Sequence, residues 1–286
     1  MRNSTSHCTA TGTMQKKAEE ALKSTSAHES AKQQQEEGES ASTSSAGARR
    51  LQLPTWSTLE AILLDVDGTL CDSDQLHYIP FYEQLMQQGV FSKDEPLSWP
   101  FFKEHISGQH NSSLFPWLYP NTSQSQQEAL ALEKEARFRE LLNESGLQPT
   151  SGLQPLLDKA SQKDIPICCV TNAPRENVES MLDALSAAGL SSYKLKESLV
   201  VANELSEAKP SGLPYSHACI DICQASPEDA IAFEDSTGGI RSAKNAQIAA
   251  VVGVETSKDA DSLIAAGATI SVRDFADEKL LNLLDG

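Results

Sequence analysis

The stretch ILLDVDGTLCDSD, residues 62–74, decides the fold. Ile62, Leu63 and Leu64 form a continuous apolar run, which suits a central strand covered on both faces. Asp65 and Asp67 follow at once. On an extended chain, positions i and i+2 point the same way, so these two carboxylates start out close together. Their repulsion is costly unless a cation sits between them or one of them holds a proton. Gly68 and Thr69 supply a turn at the strand end. Asp72 and Asp74 read as helix-capping or solvated turn residues.

Outward from this strand, further apolar runs at 165–170, 199–202, 230–233 and 249–254 read as strands. Helix-like segments separate them. Val178, Met181, Leu182 and Leu185 recur at i, i+3, i+4 and i+7, one face of a helix, and 213–223, 237–246 and 258–266 also read as helices. Strands alternating with helices imply an α/β fold with a parallel, Rossmann-like sheet. Residues 76–148 differ. They hold most of the aromatics, among them Trp99, Phe101, Phe102, Phe115 and Trp117, and end in a long helical pattern at 125–145. They read as a helical insertion packing as a lid, with the core at 53–75 and 149–286.

The charge balance narrows the function. The chain has a formal net charge of -17, and its first fifty residues hold seven basic and six acidic groups, so the acidity lies in the remainder. A nucleic-acid or anionic-membrane surface is excluded on that ground, and no apolar run approaches the ~20 residues of a membrane span. Residues 1–52 are rich in Ser, Thr, Gln, Glu and Ala and read as disordered. A transit peptide avoids acids throughout, and EEGE at 36–39 breaks that rule. A cytoplasmic location is expected, or a plastid or other organelle if the segment is nonetheless a transit peptide. Of the six cysteines, Cys168 and Cys169 are adjacent in a strand and should face opposite ways. Neither a zinc site nor a disulfide framework is expected. A monomer in a reduced compartment fits this pattern.

Ligands of parallel sheets bind at the carboxyl ends of strands. Four such ends are polar here: DVDGTLCDSD, TNAPREN, EAKP and EDSTGG. Folded together, they bring Asp65, Asp67, Thr171, Lys209, Glu234 and Asp235 around one point. Carboxylates from two strand ends suit one hard divalent cation, magnesium, held through oxygen. Thr171 and backbone N–H groups can bond phosphoryl oxygens, and Lys209 adds positive charge opposite. Asp65 can then attack phosphorus, while Asp67 protonates the leaving oxygen and later deprotonates water.

DVDGTLCDSD, VTNAPREN, AKP and FEDSTGGI resemble the four motifs of the haloacid dehalogenase superfamily, and the insertion after the first strand resembles its C1-type cap. Within the superfamily the chain is similar to the β-phosphoglucomutase-like branch, and TLCDSD…H, ISGQHN and VTNAPREN are similar to plant-type small sugar-phosphate phosphatases. The resemblance implies Asp65 as nucleophile, Asp67 as acid/base, and Thr171 and Lys209 as phosphoryl stabilisers. It implies magnesium held by Asp65, the Asp67 backbone carbonyl and Asp235, with Glu234 assisting. An aspartate two residues after the nucleophile argues against carbon–halogen cleavage. Candidate substrate-binding residues are Asn172 and Arg175 after the second strand and Gly108, His110 and Asn111 in the cap loop. That loop, HISGQHNSSLF, carries no Arg or Lys, where relatives commonly place a basic residue. Near Gln247, relatives place a glycine.

The expected function is a magnesium-dependent phosphatase of small phosphorylated metabolites, sugar phosphates above all. A sugar phosphomutase is the alternative, with Lys103 and Arg175 as its remote phosphate site. A non-catalytic phosphometabolite-binding regulator is a third reading, and the intact Asp65, Asp67, Lys209 and Asp235 argue against it.

Overall fold

The computed structural model describes residues 53–190 and 193–286. The expectations for residues 1–52, and Cys8 with them, lie outside the described residues. The opening apolar run forms β1 (Ala61–Leu64), buried along its whole length. The other strands are β2 (Ile167–Thr171), β3 (Leu199–Val201), β4 (Ala230–Glu234), β5 (Ala250–Val254) and β6 (Ile270–Val272). They form one six-stranded sheet in the order β3-β2-β1-β4-β5-β6. Every pairing is parallel; Ile62 of β1 stands level with Ile167 of β2 and with Ile231 of β4. The chain winds from β1 to β3 on one side, then crosses to β4 on the other. The crevice at that reversal is where such sheets bind ligands.

Helices cover both faces, so strand residues alternate between two apolar clusters. Ile62, Leu64, Cys169, Phe233 and Val252 face a layer that includes α5 (Leu153–Gln162), α6 (Arg175–Leu185) and α10 (Glu278–Asp285). Leu63, Cys168, Val170, Ala232 and Val251 face the other layer. That layer holds α7 (Leu213–Ser216), continued by a wider turn over His217–Ile222, with α8 (Thr237–Asn245) and α9 (Ala260–Ala265). Cys168 and Cys169 do face opposite ways, one in each cluster. Full burial of one such Leu or Ile side chain stabilises by ~1.5–3 kcal/mol, so the sheet is the stable body of the protein.

Between β1 and α5 lie α1 (Asp74–Gln87), α2 (Trp99–His105), α3 (Asn111–Leu118) and α4 (Gln124–Ser145). They share a separate apolar cluster built on Phe81, Leu85, Phe102, Leu114 and Phe115. The long helical pattern at 125–145 is α4, begun by a capping box at Ser123 and Gln126. Strand β6 and helices α5 and α10 were not expected. β6 has three residues, too short to show a period. Gln247 adopts φ +61°, the left-handed conformation its place after α8 implied, at a cost of about 1 kcal/mol relative to glycine.

Candidate active site

Four strand ends converge on one buried group. Asp65 follows β1 directly, and its N–H donates to the Phe233 carbonyl of β4 at 3.0 Å. Glu234 and Asp235 end β4 beside it. Lys209 arrives from the loop after β3. Its Nζ donates to Asp65 Oδ1 at 2.7 Å, Glu234 Oε1 at 2.6 Å and the Val170 carbonyl at 2.7 Å. Those acceptors use all three ammonium protons, so the lysine is held in one orientation. The Tyr215 hydroxyl donates to the same Glu234 oxygen at 2.9 Å.

Carboxylate oxygens of Asp65, Glu234 and Asp235 lie within 4.8 Å of one another. Burial pushes the Asp65 carboxyl up to about 7, against the pull of Lys209. Burial, followed by the charges of Asp65 and Glu234, drives Asp235 well above the carboxylate range. Lys209 is pushed the same way: burial opposes its charge, but Asp65 and Glu234 outweigh burial and raise it.

The residues fit a hard divalent cation. Asp65 Oδ2 is buried and has no hydrogen-bond partner among the described residues. A Cβ added at Gly68 would come within 2.0 Å of Asp235 Oδ2, so glycine is what lets the backbone close over the acids. The donors are oxygens only, as magnesium prefers. Asp65 and Asp235 are the side chains that would hold it, with the Asp67 carbonyl in the same loop. Glu234 is committed to Lys209, Tyr215 and Ser236.

Asp67 faces different neighbours. Its Oδ1 accepts from the Ser73 hydroxyl and lies 3.0 Å from His77 Nε2. Burial pushes its carboxyl up, but His77 and Ser73 outweigh burial and hold it below the usual range. Ser73 precedes α1 without capping it through its side chain, because its hydroxyl serves Asp67 instead. Behind His77 stands Lys134 of α4, its Nζ 3.2 Å from His77 Nδ1. An ammonium only donates, so Nδ1 accepts and Nε2 carries the hydrogen toward Asp67. The His77 ring stacks on Phe138 with centroids 4.1 Å apart, which fixes its plane.

The remaining candidates are dispersed. Thr171 is buried, and its Oγ1 accepts from the Ala173 N–H at 3.0 Å, leaving its own proton to donate. Asn172 brackets the backbone of Lys209: its Nδ2 donates to the Lys209 carbonyl at 3.3 Å, and its Oδ1 accepts the Lys209 N–H at 3.2 Å. Arg175 is half-exposed and paired with Glu204 at 2.6 Å and Glu179 at 3.2 Å. Gly108 adopts φ +77° close to the Cβ of Ser236, within 3.7 Å of an added Cβ. His110 caps α3 through Nδ1 and meets Asn203 Oδ1 at 2.7 Å through Nε2. Asn111 donates to Glu135 at 2.7 Å.

Asp74 departs from its expected role as a helix-capping or solvated turn residue. It is buried, accepting from Lys103, from Ser107 at 2.7 Å and from Ser257 at 3.2 Å. Its carboxylate therefore ties α2 and the following loop to the sheet domain. Sequence reasoning also gave no role to His77, Lys134, Glu135, Tyr215, Asn177 or Asn203. For Lys134 a signal existed: it falls at i, i+4 and i+8 with Phe138 and Leu142, on the buried stripe of α4. The glutamates beside it obscure that stripe in the sequence.

This arrangement has counterparts. The model of the family described as haloacid dehalogenase-like hydrolase matches residues 62–253, and the chain belongs to that family. The chain is 28% identical to a validoxylamine A 7'-phosphate phosphatase of Streptomyces hygroscopicus subsp. limoneus, over 75% of this chain and 93% of that protein. It is 24% identical to a phosphorylated carbohydrates phosphatase of Thermotoga maritima, over 79% of this chain and 98% of the other. The crystal structure of CbbY from Rhodobacter sphaeroides in complex with phosphate aligns with TM-score 0.65 and 26% identity, covering 80% of this chain and 100% of that one.

Proposed function

We propose that the protein is a magnesium-dependent phosphatase of small phosphorylated metabolites, sugar phosphates first. Residues 76–148 would act as the cap over a core of 53–75 and 149–286. The observation that carries this reading is Asp65: one carboxylate oxygen is held by Lys209 at 2.7 Å, while the other is buried without a partner among the described residues. A carboxylate so held is kept in one orientation by Lys209 and retains an oxygen with no competing hydrogen bond among the described residues. The phosphatase activities of the two curated relatives support the same reading.

In the proposed reaction, Asp65 attacks phosphorus and the ester P–O bond breaks, giving an aspartyl phosphate. Asp67, ionised in the free site, takes the proton carried by the bound phosphate monoester and gives it to the leaving alcohol, then takes one from the water that hydrolyses the acyl phosphate. His77 and Ser73 hold Asp67 through one oxygen, leaving Oδ2 to exchange the proton. Thr171 and Lys209 offset charge on the phosphoryl oxygens. Bound magnesium would supply further positive charge there. The cap would exclude bulk water from the site.

The phosphomutase alternative needs a site for a second phosphate. Its two candidate cations are already neutralised, Lys103 by Asp74 and Arg175 by Glu204 and Glu179. This favours substrates with one phosphate. The test is incubation with β-glucose 1-phosphate, magnesium and a trace of glucose 1,6-bisphosphate, alongside a phosphate-release panel of sugar phosphates. Free phosphate is the expected product. Glucose 6-phosphate appearing faster than free phosphate would overturn the phosphatase reading in favour of the mutase.

A further inference from the structure

The loop that carries Gly108, His110 and Asn111 has no Lys or Arg of its own, yet it stands over the strand-end cluster. What fixes it there is a carboxylate that the reaction does not use. Glu135 on α4 is 5% exposed. Its Oε1 accepts from Asn111 Nδ2 at 2.7 Å and from Lys134 Nζ at 2.9 Å. Its Oε2 accepts from Asn177 Nδ2 at 2.6 Å. Asn177 lies in the first turn of α6, directly after the TNAPR loop, and is 1% exposed. Its own orientation is set, because Arg139 donates to its Oδ1 at 2.7 Å and leaves only the NH2 group for Glu135.

We propose that Glu135 is a positioning residue for substrate recognition: it fixes the loop Gly108–Asn111 over the site by joining Asn111 of the helical module to Asn177 of the sheet domain. Both amide bonds end on an ionised carboxylate, which makes them stronger than bonds between neutral groups. Lys134 balances the buried charge, so the clamp is stable without a charge on the loop. The loop's own bond to the sheet domain, His110 to Asn203, is exposed and open to competition from water. The loop can therefore present neutral and histidine side chains to a neutral sugar while its position is secured from behind. The inference rests on the phosphatase reading for its substrate and on the geometry alone for the clamp.

The experiment compares wild type with Glu135→Gln and Asn177→Ala. The first alters the acceptor; the second removes the core arm, together with the acceptor of Arg139, and guards against a folding failure of the first. Amide hydrogen exchange is followed across 107–114 and across the sheet strands, and KM and kcat are measured on whichever sugar phosphate the wild type hydrolyses best. The expected result is at least tenfold faster exchange at 107–114 with unchanged exchange in the strands, and a KM raised at least tenfold with a smaller change in kcat. Wild-type exchange at 107–114 in both variants would overturn the proposal. Equal acceleration in the strands would reduce Glu135 to a structural residue and also overturn it, as would faster loop exchange with an unchanged KM. A wild type that releases no phosphate from any panel member fails the phosphatase reading instead, and the exchange arm still decides the clamp.

Discussion

Asp65→Asn makes a prediction with opposite signs for activity and stability. In the wild type, the carboxyl of Asp65 is raised from 3.8 to about 7, chiefly by burial. A rise of that size corresponds to about 4 kcal/mol between the two protonation states. The folded state binds this proton more tightly than the unfolded state does. The stability tied to Asp65 is therefore fully present below pH 3.8 and is lost as pH rises through about 7. Asp235, raised by burial and by its acidic neighbours, adds in the same direction. In chelator, the wild type should lose stability as pH rises from about 4 to about 7, the Asp65 share alone setting a ceiling of roughly 8–16 °C for a fold of this size. Asparagine removes the charge and keeps an acceptor for Lys209. Asp65→Asn should therefore melt higher than wild type at pH 8 in chelator, with a flatter pH dependence, and show no turnover. Magnesium should raise the wild-type melting temperature at pH 8 by binding the folded state and should raise the variant's much less. The assay is thermal melting at several pH values with chelator or magnesium. A variant less stable than wild type at pH 8 in chelator, or a flat wild-type profile, would refute the electrostatic reasoning, and wild-type phosphate release from the variant would refute the nucleophile.

Asp235→Ala should weaken magnesium binding at least tenfold by calorimetry, and thorough chelation should abolish wild-type activity; full activity in chelator would sink the proposed cation. Lys134→Met leaves Glu135 charged and buried without its cation, at a cost of about 3–5 kcal/mol, and it frees His77 Nδ1. Its melting temperature and kcat should both fall, and adding Glu135→Gln should recover part of the stability without the kcat; a wild-type kcat in Lys134→Met would show that His77 needs no donor behind it. Gln247→Gly should stabilise by about 1 kcal/mol, read in urea melts, because it relieves a left-handed backbone at φ +61°; a destabilised variant would show that the glutamine side chain contributes more than the strain costs.

The parallel α/β class and the core of the candidate site were legible in the sequence. The reason is that every strand of a parallel sheet ends on the same edge. Once ILLDVD, CCVTN and IAFED read as strands running into polar residues, Asp65, Thr171, Glu234 and Asp235 have to meet, however far apart they lie in the chain. Which way the side chains of that edge turn depends on packing in the folded chain. Asp65 and Asp67, expected to share one neighbourhood, divide between Lys209 and His77. Packing also decided the residues supplied by helices. Lys134, Glu135 and Asn177 sit in strongly polar stretches, where pattern alone reads a solvated face. They are buried because α4 runs between the helical module and α6, so a face that looks wet in sequence is covered from two sides. Asp74 shows the same effect, a turn residue by pattern and a buried anchor by contact. Strand ends are read from local pattern because the sheet aligns them, whereas the burial of a polar helix face depends on what packs against it, and no local period records that.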